Sequence, residues 1–253
     1  MEKVSTEAEQ SARVPENMEN IQQICQAVKE VKTFTELQNL VERIDLAPVE
    51  CQEMGLKAED LDVDAVSVPL VPQEFTNLTP VAIYGDGNCL PRCASLFAFH
   101  TQTKHAEMRV RIVIELVKNE KHYLSPDLDN GGTKNSATTF ASFSEFFRGQ
   151  KLSPRSIQNL YRREVLTLIK DGTYMGAWQM ASLATILGRV VNSVYPNYAA
   201  ETVRKDLHRI FRPLGPQAID ACEPIHILWT NTQGVELKPR DWRPNHFVLL
   251  LPQ

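Results

Sequence analysis

The chain is poor in the features that would announce a class outright. Its 253 residues include only five cysteines, at positions 25, 51, 89, 93 and 222. That odd, sparse set excludes a dense disulfide framework and suits a reducing compartment, cytoplasmic or nuclear. A basic excess is missing too: 27 Lys and Arg against 31 Asp and Glu leave a formal charge of −4. No nucleic-acid partner or anionic membrane surface is therefore expected. No apolar run approaches the length of a membrane span, and the opening "MEKVSTEAEQSARVPENMENIQQ" lacks the apolar segment of a secretion signal. Internal repeats and low-complexity tracts are absent. What remains, 43% hydrophobic and 23% charged residues, is the composition of a soluble chain able to bury a sizeable core without metal or disulfide staples.

Residues 1–20 are polar and poor in aromatics, and read as a disordered tail. Residues 21–77 read as a helical extension and linker. Ile21, Ile24, Val28 and Val31 share one helical face, and Leu37, Leu40 and Val41 form a second apolar set. Thr35 with Gln38 three residues later predicts a capping box for that second helix. A stretch with four prolines and many acids follows, with room for one short strand over Val63 to Val68. The main domain is expected over residues 78–253.

Within it, "VAIYG" predicts a strand, and Cys89 to Phe99 a helix. Met108, Ile112 and Leu116, flanked by Val113 and Val117, predict an amphipathic helix. The stretch from Ser125 to Thr139 reads as a loop, and "FASFSEFFRGQ" and "SIQNLYRREVLTLIKDG" as further helices. "GAWQMASLATILGR" reads as a glycine-stopped helix. "VVNSVYP", "PIHILWTN" and "NHFVLLLP" read as strands. Helices dominate the first half and strands the second, so the expected class is α+β, a small sheet flanked by helices.

The chemistry concentrates in "YGDGNCLPRCASLF", where a Gly-Asp-Gly-Asn turn runs into Cys89. A helix N-terminus favours a thiolate, and its unpaired N–H groups can face an oxyanion. Pro91 is tolerated in a first turn, where its missing N–H has no intrahelical partner. Cys89 therefore suits a nucleophile. A metal pair with Cys93 and an inert buried thiol are the other readings, and Cys93 itself reads as core. A zinc deaminase is excluded, because no H-x-E accompanies a P-C-x-x-C. Of six histidines, His100, His105 and His122 are expected to face solvent. His208 lies in a basic cluster, and His226 reads as a satisfied residue inside a strand. His246 opens the last strand after a turn, a firm mount for a general base.

"GDGNCLPRCASL" resembles the cysteine box of the ovarian-tumour (OTU) family of papain-like deubiquitinating proteases, usually D-G-N-C-L-F-R-A. The likeness runs through Asp86, Gly87, Asn88, Cys89, Leu90 and Arg92. "DGTYMGAWQMASLATILGRVVNSVY" is similar to the family's second block through Thr173, Gly176, Gln179, Met180 and Leu183, and "PNHFVLLL" to its third. The blocks come in the family's order, with 246 − 89 = 157 residues from cysteine to histidine. The resemblance implies an OTU-like fold and hydrolysis of ubiquitin or ubiquitin-like conjugates, with no metal or cofactor. Cys89 would be the nucleophile and His246 the base, with an oxyanion hole from the backbone N–H groups of Asp86, Gly87, Asn88 and Cys89. Many relatives place an Asp or Asn two residues after the histidine, where this chain has Val248. Asp86 is the first candidate for that third role, with Asn245 and Asn231 as alternatives.

Pro91 stands where the family usually has Phe, Cys93 where it has Ala, and Tyr174 and Met175 where it has Trp-Gly. "MASLATILGRVVNSVYP" and the helical N-terminus also resemble the vertnin family, which implies a rival role. The chain would then be a weak or inactive OTU-like binding module acting in transcription or protein interaction.

Overall fold

In this computed structural model the described residues are 20–51, 56–125, 136–215, 223–236, 238–239 and 241–253, so of the expected tail at residues 1–20 all but Asn20 lies outside them. The first helix, α1 (Ile21–Glu30), is capped by Asn20, whose side chain accepts from the N–H groups of Gln22 and Gln23. The second, α2 (Phe34–Val41), is capped by Thr33, whose hydroxyl accepts from Glu36 N–H. The capping pair is thus Thr33 with Glu36, two residues before the expected Thr35 and Gln38. Glu36 Oε2 reaches back to Lys32 N–H at 2.9 Å, one residue before the cap, and fixes the entry of the chain into the helix.

Both helices press their apolar faces on α4 (His105–Lys118), and α2 also touches α7 (Pro154–Thr167). Ile24, Val28, Leu37, Leu40 and Val41 are buried in one core with the rest of the chain. Helix α4 lies at the centre of the helical layer, in contact with α3 (Cys89–Phe99), α7, α8 (Ala177–Leu187), α1 and α2. That surround explains why Val110 and Ile114 are buried along with the expected Met108, Ile112, Val113, Leu116 and Val117.

A five-stranded mixed sheet lies against this layer, in the order β1 (Leu78–Val81), β5 (His246–Pro252), β4 (Ile225–Thr230), β2 (Val191–Val194), β3 (Arg209–Phe211). The β2–β4 pair is parallel and the others are antiparallel. Helix α3 packs on β5, and α8 on β2 and β3. The fold is α+β. The remaining α-helices among the described residues are α5 (Glu120–Tyr123), α6 (Ser136–Ser142) and α9 (Glu201–Leu207).

Several boundaries differ from the sequence reading for local reasons. Strand β1 covers Leu78–Val81, so only Val81 of "VAIYG" pairs. Val63 makes one bridge to Val81, and 3-10 turns at Ala58–Asp60 and Val68–Leu70 flank it, so no strand covers 63–68. Strand β3 hides inside the basic stretch because Arg209 is buried between the Phe140 and Phe211 rings. Helix α6 begins within the expected Ser125–Thr139 loop, of which residues 126–135 lie outside the described set. It ends at Ser142, where Ser144 Oγ takes the Phe146 N–H and pulls the chain into turns. The exposed cap supplies a direct check. Thr33→Ala is expected to cost about 1 kcal/mol in urea denaturation and Thr35→Ala less than about 0.5 kcal/mol.

Candidate active site

The Gly-Asp-Gly-Asn turn delivers Cys89 to the first residue of α3, with Asn88 as N-cap and Pro91 inside the first turn. Gly87 has φ +79°, and a Cβ there would sit 1.8 Å from the Gly172 carbonyl oxygen. Only glycine permits so close an approach of this turn to the one before Thr173. Asp86 is fastened within the turn. Its Oδ1 accepts from Asn88 N–H at 3.0 Å, and Arg92 forks onto the carboxylate at 2.6 to 3.2 Å. Those hydrogen bonds, Arg92's first, hold the Asp86 carboxyl far below the usual carboxylate range.

His246 is the first residue of β5, paired with Thr230 of β4, and is 5% exposed. A Cβ on Gly85 would lie 3.9 Å from the ring's Cε1 and Nδ1, so the imidazole rests beside the cysteine turn. The backbone N–H of Phe247, the next residue, lies close enough to the Cys89 sulfur to favour its thiolate, as do the N–H groups of Leu90 and Cys89 itself. The start of α3 and the start of β5, far apart in the chain, therefore lie at one corner, with the Phe247 backbone beside Cys89 and the His246 ring beside Gly85.

Burial dominates the protonation of both groups. Cys89 is 2% exposed. Desolvation pushes its thiol up to about 11 against the backbone N–H groups, with Asp86 adding repulsion. Burial lowers His246, and the carboxylate of Asp64, the backbone at Ile83 and Asp86 recover only part. At neutral pH the resting pair is a thiol and a neutral imidazole, not an ion pair. Cys93 is fully buried one turn deeper, as expected of a core residue.

The residues considered for the third role are committed elsewhere. Asp86 accepts its hydrogen bonds from Arg92 and Asn88 rather than from the imidazole, reaching His246 only through its field. Asn245 accepts from Thr232 N–H at 3.0 Å and donates to Thr232 Oγ1 at 3.3 Å. Asn231 accepts from Gln233 N–H and donates to the Arg243 carbonyl. The two asparagines tie down the loop that leads into β5. Asp64, brought to the site by the Val63–Val81 bridge, is the carboxylate that favours the charged imidazole most. No local pattern around it marked it. Of the expected oxyanion donors, Asn88 N–H is already spent on Asp86. Those of Cys89 and Leu90 face the thiol.

The residue that sequence reading missed is Arg109, buried in α4 at 3% exposure. Its guanidinium donates to Asn88 Oδ1 at 2.7 and 3.0 Å and to the carbonyls of Gly87, Leu168, Lys170 and Thr173 at 2.9 to 3.4 Å. Asn88 Oδ1 also takes Gly172 N–H at 3.4 Å. The cation thereby joins the cysteine turn to the Thr173 turn. Beyond that turn Tyr174 stacks on Phe247 at 5.3 Å and 10°, closing the corner. Among the other histidines, His226 meets Asn192 at 3.1 Å, as a satisfied strand residue should. His100, His105 and His122 are half-buried rather than open to solvent. Among the described residues no group of three or more His, Cys, Asp or Glu is placed to hold a metal, and no helix is long and apolar enough to cross a membrane.

A family model described as "Vertnin, OTU domain" matches residues 80–230, more than half of the chain. The chain belongs to the vertnin OTU domain family. The match includes Cys89, Arg109 and the Thr173 turn, and ends one strand before His246. Vertnin of Ailuropoda melanoleuca is 24% identical over 199 residues, 78% of this chain and 27% of the relative. Vertnin of Danio rerio is 24% identical over 222 residues, 87% of this chain and 32% of the relative. The chain thus spans about a third or less of the length of these curated relatives. Among solved structures, the viral OTU domain protease from Qalyub virus is 16% identical with TM-score 0.35, covering 70% of this chain and 85% of that one. The viral OTU domain protease from Farallon virus is 14% identical with TM-score 0.36, covering 70% and 93%.

Two measurements check this geometry. Arg109→Met takes the guanidinium away from five oxygen acceptors, of which Asn88 Oδ1 and the Lys170 carbonyl keep another donor, and is expected to cost about 3 kcal/mol or more in urea denaturation. Arg109→Lys is not expected to rescue it, because an ammonium lacks the planar fork. Alkylation of Cys89 by iodoacetamide, followed peptide by peptide, is expected to be slow at pH 7 and to climb as pH approaches about 11. Fast modification at neutral pH would contradict the neutral, buried thiol.

Proposed function

We propose that the chain is a thiol-dependent hydrolase of ubiquitin or ubiquitin-like conjugates, acting in the cytoplasm or nucleus without metal or cofactor. The observation that carries this reading is the meeting of Cys89 with the Phe247 N–H, immediately after His246, at a helix N-terminus. In that arrangement His246 accepts the Cys89 proton as the sulfur attacks the isopeptide carbonyl, leaving a tetrahedral oxyanion. Collapse breaks the C–N bond, and the imidazolium returns its proton to the departing lysine amine. Water, deprotonated by the same imidazole, then cleaves the thioester and restores the thiol. Substrate entry must uncover Cys89, and Tyr174, half-exposed and stacked on Phe247, is the side chain positioned to give way.

A second reading has its own observations. Cys89 is 2% exposed with its thiol near 11, and Asp86, Asn231 and Asn245 all bond elsewhere. These features favour an OTU-like binding module acting in protein interaction or transcription. A ubiquitin probe bearing a C-terminal electrophile separates the two. The hydrolase gives a covalent adduct that disappears in Cys89→Ala and weakens at least about tenfold in His246→Ala. Absence of adduct at high probe concentration, from protein shown to be folded, would establish the binding module instead.

A further inference from the structure

Beside the thiol corner, on the far side of Tyr174, lies a cavity of about 350 Å³ that reaches no atom of Cys89 or His246. Its aromatic lining comes from Phe143, Tyr174, Tyr195 and Trp229, with Met175 and Leu207 as aliphatic wall. Tyr195, Trp229, Met175 and Leu207 are buried, whereas Phe143 and Tyr174 stand half-exposed at the mouth. The volume falls within the range of small-ligand sites, which also pair apolar walls with a few placed polar groups.

The charged groups of the lining are Glu145, Glu164 and Arg243, and they are not equivalent. Glu145 and Arg243 are exposed to solvent. Arg243 is already engaged, its Nη1 donating to the Trp242 carbonyl at 2.7 Å. Glu164 Oε2, by contrast, is buried with no hydrogen-bond partner, and none of the ion pairs among the described residues includes it. The side chains of Ser144 and Gln179 lie close enough to favour its ionised form without completing a bond to Oε2. Burial outweighs them, with Glu145 adding repulsion, and the carboxyl is pushed up to about 7. A buried acceptor left open costs stability unless something else satisfies it.

We propose that this cavity binds an alkylammonium group of the kind a lysine side chain carries, its ammonium on Glu164 and its stem along Met175 and Leu207. A cation satisfies the orphaned carboxylate, gains from the surrounding aromatic rings, and carries a methylene stem suited to the aliphatic wall. An anion would meet two carboxylates, and a purely apolar ligand would leave Oε2 open. The assignment does not rest on thiol chemistry at Cys89, so it stands or falls separately from the hydrolase reading.

The test titrates the full chain with three probes: acetyl-Gly-Lys-Gly-amide, its norleucine analogue and n-butylammonium. Binding is read by calorimetry and by the NMR signal of the Trp229 indole. The lysine peptide or butylammonium is expected to shift Trp229, with the norleucine peptide at least about tenfold weaker. Since a carboxyl near 7 ionises between pH 6 and pH 8 while the ammonium stays charged, affinity should rise about tenfold across that interval. Glu164→Gln should abolish that rise and lower affinity at pH 8 by a similar factor. A tighter lysine peptide assigns the cavity to polypeptide side chains, and a tighter butylammonium assigns it to free amines. Equal binding of the norleucine peptide, a pH-independent affinity in the unmutated protein, or no shift of Trp229 with either amine would overturn the proposal.

Discussion

A guanidinium buried among amide oxygens holds the corner around Cys89 together. Arg109 sits on the central helix α4 and spends its fork on Gly87, Asn88, Leu168, Lys170 and Thr173. An unsatisfied cation in such a place would be intolerable, so the two turns that supply the oxygens must be present together. The consequence for Cys89 is direct. Its turn cannot shift without stranding the cation, and the glycine contact between Gly87 and Gly172 leaves no slack for another residue type. Rigidity at the cysteine is therefore set from behind, by α4, rather than by the sheet.

The same enclosure determines the chemistry available. Backbone N–H groups at the start of α3 and β5 pull toward a thiolate, while desolvation pulls harder the other way. Burial likewise keeps His246 neutral against Asp64 and Asp86. Burial thus favours the uncharged form of both groups, and contact with water would weaken that preference. The Tyr174–Phe247 stack stands at the edge of this enclosure.

Much of this was legible in the residue order, for reasons that can be named. Cysteine at a helix start after a glycine turn, proline in the first turn, and histidine opening a strand are all local signals, and each falls where its local chemistry directs. Periodicity found α4, α7 and α8 because their apolar rows are long. The failures have a common cause in long-range contact. Arg109 read as one polar residue on an amphipathic helix, since nothing nearby announces that 59 to 64 residues later three carbonyls will meet it. Asp64 lay in a proline-broken acidic stretch and reaches the histidine only through a single bridge. Strand β3 is three residues long and begins with a buried arginine, which composition assigns to the surface.

That bridge has a bearing on how the sheet survives in solution. Strand β1 is an outer strand, and an open outer strand is a template for intermolecular pairing. Here Pro80 removes one donor, Asp64 N–H takes the Pro80 carbonyl at 2.9 Å, and Ala82 N–H is taken by the Asp62 carbonyl at 2.8 Å. The acidic connector thus acts as a selvedge, finishing the edge of the sheet with residues that carry charge. A segment that reads as mere linkage between helices and core is what keeps neighbouring molecules from adding a strand of their own.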